Sequence, residues 1–178
     1  PRQGAAFATH IERLRTADAM SKLRIDFTTK LTPLAGGAET ELAALLADRK
    51  ALAFHFWSPW SRECEEFAAD FAATVRALDK NGIAVASLLA EDDPRLIEDA
   101  RTFAKPWQNL PCHWLRDSAR QPLHVQLRVQ SVPVLVLVSP DGRVLFNGHP
   151  ADPSCWQALQ QIAPKLERPP LAAPPDDH

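Results

Sequence analysis

The chain has 178 residues, of which 46% are apolar and 24% are charged, and its formal net charge is −2. This composition is typical of one globular domain with a hydrophobic core and excludes a largely disordered chain. The basic residues are dispersed, which gives no support for nucleic-acid binding, and no apolar run is long enough to predict a transmembrane helix.

The first half of the chain alternates strand and helix patterns. Residues 1–22 form a polar lead, and residues 23–31 alternate between apolar and polar side chains, which predicts a strand. Thr40 is the predicted N-cap of a short helix that ends at Leu46. The further predicted elements are a buried strand over 52–57, a helix over 61–80, a buried strand over 83–89 and a helix over 93–103.

The second half adds antiparallel strands and a last helix. The predicted elements are a short strand over 111–115, a helix over 121–129, a hairpin with strands over 132–138 and 143–146, and a helix over 152–162. Residues 164–178 contain five prolines and two aspartates, which predicts a disordered or loosely held tail. The domain is therefore expected over residues 23–163, with helices on both faces of a mixed sheet.

Four segments stand out in chain order: Phe56-Trp57-Ser58-Pro59-Trp60, Ser61-Arg62-Glu63-Cys64, Ser131-Val132-Pro133, and Val134 to Arg143 with its Pro140-Asp141-Gly142-Arg143 turn. Taken in this order, they resemble the thioredoxin fold, and among its members the TlpA-like branch of bacterial thiol–disulfide oxidoreductases. The resemblance covers about residues 24–163 and implies an α/β fold with a central mixed sheet. It also implies a protein or peptide substrate along a cis-proline loop at Pro133, no cofactor, and a periplasmic or otherwise extracytoplasmic location.

The sequence departs from the family at Ser61. In the family the first cysteine of Cys-x-x-Cys is the exposed nucleophile, and the second resolves the mixed disulfide. A serine hydroxyl cannot exchange disulfides, so the two-cysteine cycle is chemically excluded for this sequence. Cys64 keeps only the resolving position, and Ser61 is predicted to cap the following helix. A native serine and a serine engineered to disable or trap the site both fit the sequence.

Cys64 and His55 each have two roles open to them. The first helical turn and Arg62 favour a Cys64 thiolate, whereas the neighbouring glutamates oppose it, and a buried apolar thiol is the alternative. In thioredoxins the position of His55 often carries a carboxylate that moves protons to the resolving cysteine. The resemblance therefore implies acid–base work or an imidazolium–thiolate pair for His55, and the alternative is a neutral core histidine bonded to backbone.

The aromatic and loop residues near the motif are expected to form a substrate groove. Trp57, Trp60, Arg62 and Val132 are its predicted members, beside Pro133. An extended partner chain would add there as a strand, although the rings alternatively only cover the edge of the core. Two functions follow: an oxidoreductase homologue whose dithiol exchange is lost or altered, and a non-catalytic peptide-binding module.

A single-cysteine peroxidase is a third and weaker alternative. Peroxiredoxins share the broader fold, and Ser61-x-x-Cys64 fits their Thr/Ser-x-x-Cys turn. Their proline seven residues before the cysteine is Trp57 here, and their activating arginine is Pro133. The scattered histidines predict no metal site. Cys112 and Cys155 are expected as incidental thiols on opposite sides of the sheet, without a disulfide.

Overall fold

A computed structural model describes residues 22–90 and 93–169 of the chain. Its strands are β1 (Lys30–Pro33), β2 (Thr40–Glu41), β3 (Ala51–Trp57), β4 (Ile83–Leu89), β5 (His113–Arg116), β6 (Val134–Val138) and β7 (Val144–Gly148). They form one sheet in the order β2-β1-β5-β4-β3-β6-β7. The β3–β4 and β4–β5 pairs are parallel and the other pairs are antiparallel, so the sheet is mixed, as predicted.

Helices cover both faces of this sheet. They are α1 (Leu42–Leu46), α2 (Arg62–Lys80), α3 (Pro94–Ala104), α4 (Leu123–Gln126) and α5 (Pro153–Ile162), with a 3-10 turn at Lys105–Trp107. Side chains of β3 alternate between the two layers: Phe54 packs with α1 and α4, whereas Ala53 packs with α2 and α5. All seven residues of β3 and all seven of β4 are therefore buried. Within the described residues, no helix has the length and apolar character needed to cross a membrane.

The first strand begins later than its sequence pattern predicts. Within the predicted strand 23–31, Arg24 forms an isolated β-bridge with Arg143, and regular strand pairing starts at Lys30. The Asp26 carboxylate accepts bonds of 2.9 Å and 2.7 Å from the backbone N–H and the hydroxyl of Thr28. This local turn interrupts the strand, because side chains of this kind compete with the ladder for backbone groups.

Two predicted helices are also shorter than expected. Thr40 is not an N-cap: it lies in β2 opposite Leu31, and the helix starts at Leu42 after an uncapped Glu41. The predicted helix over 121–129 is reduced to the single turn of α4. Arg128 has a φ of 55°, a left-handed conformation that ends the helix.

The core of the domain extends past the C-terminal boundary that the sequence predicted, residue 163. Leu166 is buried in the core layer of α2 and α5, so this layer extends beyond residue 163. The Arg168 guanidinium lies 5.7 Å from the Trp156 ring centroid. Residues 170–178 and nearly all of the predicted lead, residues 1–21, lie outside the described residues.

Candidate functional site

The turn from Ser58 to Cys64 connects the carboxyl end of β3 to the first turn of α2. The Ser61 N–H donates to the Ser58 carbonyl at 3.2 Å, and the Trp60 N–H donates to the Ser58 hydroxyl at 3.3 Å. Ser61 is the N-cap of α2, as predicted, because its hydroxyl oxygen accepts from the Cys64 N–H at 3.3 Å. The sequence Ser-x-x-Cys thus forms a capped helix start.

The loop before β6 lies against this turn. The Val132–Pro133 peptide bond is cis, and the Ser61 hydroxyl donates to the Val132 carbonyl at 3.4 Å. Antiparallel pairing of β6 with β3 brings the loop and the turn together, with Val134 opposite Phe56. Within the described part of the chain, the backbone N–H groups of Ser131 and Val132 have no hydrogen-bond partner.

The thiol of Cys64 is buried rather than presented to solvent. Its residue is 4% exposed and packs in a cluster with Trp57, Leu89 and Ile97. Burial raises the pKa of Cys64, and the charge of Glu63 raises it further, whereas hydrogen bonds with Ser61 and Ser58 act in the opposite direction and are outweighed. Of the two roles open to Cys64, the geometry matches the buried, protonated thiol.

His55 is a neutral core side chain whose partner is another side chain. Its Nδ1 lies 3.1 Å from the hydroxyl oxygen of Ser87, the residue opposite it on β4, and its ring stacks on Phe71 with centroids 4.0 Å apart. Its Nε2 has no partner among the described residues. Burial lowers the pKa of His55 to about 3, so it is uncharged at neutral pH. No hydrogen bond joins it to Cys64 in the described part, so neither the imidazolium–thiolate pair nor the backbone bond is present.

Ser87 connects His55 to a second cysteine, an arrangement that the sequence reasoning missed. Ser87 Oγ lies 3.3 Å from Cys112 Sγ, and burial raises the pKa of Cys112 to about 11. The available signal was one polar residue within the otherwise apolar strand β4. A polar residue in that setting needs a buried partner.

The placement predicted for the other two cysteines is wrong. Cys112 and Cys155 both pack against the core layer of α2 and α5, so they lie on the same side of the sheet. Cys155 is 1% exposed and is part of the core, not an incidental surface thiol. Burial, together with the charge of Asp152, raises the pKa of Cys155 to about 12. Both thiols are free, as is Cys64.

The predicted groove residues divide between core and surface. Trp57 is 1% exposed and stacks on Phe103 with centroids 5.1 Å apart, so it lies beneath the surface rather than on a groove wall. Trp60 is 70% exposed, and its indole N–H donates to an Asp99 carboxylate oxygen at 2.7 Å. Arg62 is exposed and pairs with Glu66 at 3.0 Å.

The polar groups of this region offer neither a metal site nor a dithiol. Across residues 22–90 and 93–169, no group of three or more histidine, cysteine, aspartate or glutamate side chains could hold a metal ion. The turn has an exposed indole and a capped helix start, and the adjoining loop has backbone donors that no described residue pairs with.

The fold is that of thioredoxin-like proteins. MTB dsbF, in its mixed oxidized and reduced forms, is 16% identical with a TM-score of 0.60, over 76% of this chain and 96% of that chain. A secreted Mycobacterium tuberculosis disulfide oxidoreductase homologous to E. coli DsbE is 19% identical with a TM-score of 0.57, over 76% and 96%. A thioredoxin-like protein from Aeropyrum pernix is 17% identical with a TM-score of 0.57, over 89% and 98%. No protein-family model and no curated protein matches the sequence.

Proposed function

We propose that this chain is a thioredoxin-like binding module that no longer exchanges disulfides and that holds an extended segment of a partner protein along the Val132–Pro133 loop. The observation that carries the proposal is that the Val132 N–H has no partner among the described residues, on a loop bonded to Ser61, the residue after the exposed Trp60. The chemistry of the turn and the geometry of the loop support it separately.

Loss of exchange is supported by the state of the only thiol in the turn. Disulfide exchange begins with attack by a thiolate, and the reactive thiol must be accessible. Cys64 is 4% exposed and burial raises its pKa, so both requirements are poorly met. Ser61 stands where a second thiol would be needed. A mixed disulfide formed at Cys64 would therefore have no neighbouring thiol to resolve it.

Peptide binding is supported by the backbone of the loop. An extended chain binds to an exposed strand edge by pairing its own N–H and C=O groups with free backbone groups. Ser131 and Val132 offer two N–H donors that no described residue occupies, and among the described residues the Val132 carbonyl accepts a single bond, of 3.4 Å, from Ser61. The loop therefore has the donors and the acceptor that an added strand requires.

Trp60 supplies an anchor for a side chain of the bound segment. Exposed tryptophans often dominate the binding energy of protein interfaces. The 2.7 Å bond from its indole to Asp99 orients the ring before a partner arrives, which reduces the ordering cost of binding. The proposed location is periplasmic or otherwise extracytoplasmic, in keeping with the secreted oxidoreductase among the structural neighbours.

Alkylation of Cys64 tests the loss of thiol chemistry. The variant Cys112→Ser/Cys155→Ser leaves Cys64 as the only thiol. We expect native protein to react with iodoacetamide at least about a hundredfold more slowly than urea-unfolded protein, at every pH up to about 9. Rapid labelling of the native protein below that pH would contradict the proposal and would favour single-thiol exchange.

Peptide capture tests the groove. Wild-type protein is applied to an array of cysteine-free dodecapeptides, and the strongest binders are titrated against Trp60→Ala. We expect that variant to bind at least about tenfold more weakly. Val125→Ala is the matched control, because Val125 is also a large exposed apolar residue, at 64%, and lies on α4. An equal loss of peptide affinity in Trp60→Ala and Val125→Ala, or no peptide binding by the wild type, would overturn the proposal.

A further inference from the structure

A cavity of about 490 Å³ opens between the margin of the sheet and the end of α3. Residues of β5 line it, and β4 lies between β5 and β3, the strand that leads into the Ser58–Cys64 turn. Its apolar wall includes Leu34, Leu45, Trp114 and Leu115. Sites for small molecules commonly have this volume and combine an apolar wall with a few polar groups. None of its lining residues belongs to the Ser58–Cys64 turn or to the Val132–Pro133 loop, so it is a separate site within the described structure.

The polar side of this cavity is basic. Arg101, Lys105 and His113 line it, and no aspartate or glutamate does so within the described residues. Lys105 has no ion-pair partner in the described chain. His113 is neutral at neutral pH, because burial and the charge of Arg49 both lower its pKa. Lys105 and Arg101 are therefore the cations that a ligand would meet.

Arg101 is held in place at the cavity by its own hydrogen bonds. Its Nε donates to the Leu34 carbonyl at 2.7 Å, and its Nη1 pairs with Glu98 at 2.5 Å. Glu98 offsets part of the guanidinium charge. The Nη2 group has no partner among the described residues, so the fixed guanidinium keeps a donor for a further acceptor.

We propose that this cavity binds a small organic anion, specifically a carboxylate attached to an apolar or aromatic body. The body packs against Trp114 and the leucines of the wall, and the carboxylate accepts from Lys105 and from Nη2 of Arg101. Ion pairs of this kind are strongest where the ligand is partly withdrawn from water, as it is in a cavity. The site goes beyond the proposed peptide groove and does not depend on it.

Paired ligands test the charge requirement. The probes are 1-naphthoate and its neutral isostere 1-naphthamide, titrated into the intact chain by calorimetry at low ionic strength and near-neutral pH. Tryptophan fluorescence reports on the same binding, since Trp114 lines the cavity. We expect the carboxylate to bind at least about tenfold more tightly than the amide. Equal affinities for the two probes, or no binding by either, would overturn the proposal.

Variants of the cations locate the binding. We expect Arg101→Gln to weaken naphthoate binding by about tenfold and Lys105→Gln by about threefold, since Arg101 is fixed at the cavity by its hydrogen bonds to Leu34 and Glu98. Arg120→Gln removes an exposed arginine outside the cavity and is expected to leave the affinity unchanged, as is Trp60→Ala. If Arg101→Gln does not fold, the affinity measured for Lys105→Gln decides the outcome. Naphthoate binding that Lys105→Gln leaves unchanged, or that Arg120→Gln weakens equally, would place the anion elsewhere and refute the proposal.

Discussion

The buried imidazole of His55 makes the stability of the fold depend on pH. Burial lowers its pKa from an ordinary value of 6.5 to about 3, so the unfolded chain takes up a proton at a pH where the native chain does not. Because the unfolded state binds more protons between these two values, stability is lost as the pH falls through this range. The contribution of neutral His55 to the free energy of unfolding is fully present above pH 6.5.

The size of this effect follows from the two pKa values. Each tenfold difference in proton affinity corresponds to about 1.4 kcal/mol, so the full loss is about 5 kcal/mol. Between about pH 7 and about pH 4.5, the loss from His55 alone is about 2.5 kcal/mol. We expect both His55→Gln and His55→Phe to abolish it, because neither side chain titrates there.

Urea unfolding followed by tryptophan fluorescence measures this difference. The two variants serve as controls for each other, because His55→Gln keeps a polar side chain and His55→Phe keeps an aromatic ring. Their free energies of unfolding are expected to differ, whereas the dependence of that free energy on pH is expected to agree. The pKa of His113 is also lowered, but His113 is present in every variant, so its contribution cancels in the comparison. An identical loss of unfolding free energy in the wild type and both variants would refute a neutral, buried His55.

Substitutions at three positions, Ser61, Gly142 and Gly36, probe the site and the fold. Ser61→Ala is expected to lower the free energy of unfolding by about 1 kcal/mol through loss of the helix cap, whereas Ser61→Asn, which can still cap, costs less. Ser61→Cys restores a dithiol, so we expect it to form a disulfide with Cys64 and to gain insulin-reducing activity. The disulfide is detected as a loss of mass on oxidation, and the absence of that mass loss would contradict the prediction. Gly142→Ala is expected to cost about 2 kcal/mol or more, because φ is +87° and the new Cβ would lie 2.7 Å from the Ile25 carbonyl oxygen. Gly36→Ala, where φ is +92° and the new Cβ would have no atom within 4 Å beyond its chain neighbours, should cost only about 1 kcal/mol in the same urea assay.

The centre of the fold could be predicted from local pattern, and its margin could not. Ile83–Leu89 is apolar apart from Ser87 and Arg62–Lys80 has one apolar stripe, so local sequence sufficed for both. At the margin, residues 23–31 show the alternation of a strand, but the Asp26 turn takes its backbone out of the ladder. That competition is decided by side-chain hydrogen bonds, which periodicity does not encode.

The same division applies to the candidate site. The cap at Ser61 is a local feature, set by residues three positions apart, and the sequence was enough to predict it. The link from His55 through Ser87 to Cys112 depends on which residues face each other across strands. The burial of Trp57 likewise depends on α3, whose Phe103 covers it. Sequence alone does not contain this register.

Strand β3 also determines how the two proposed sites would differ in their motions. Its seven buried residues are paired with β4 on one side and β6 on the other, so we expect its amides to be among the last to exchange with deuterium. The Ser58–Cys64 turn is anchored to this slow-exchanging centre. The cavity instead adjoins β1 and the two-residue strand β2 at the sheet edge, where local opening takes less free energy. An anion bound there would slow the exchange of the edge strands, whereas a peptide at the turn would leave the protection of β3 nearly unchanged.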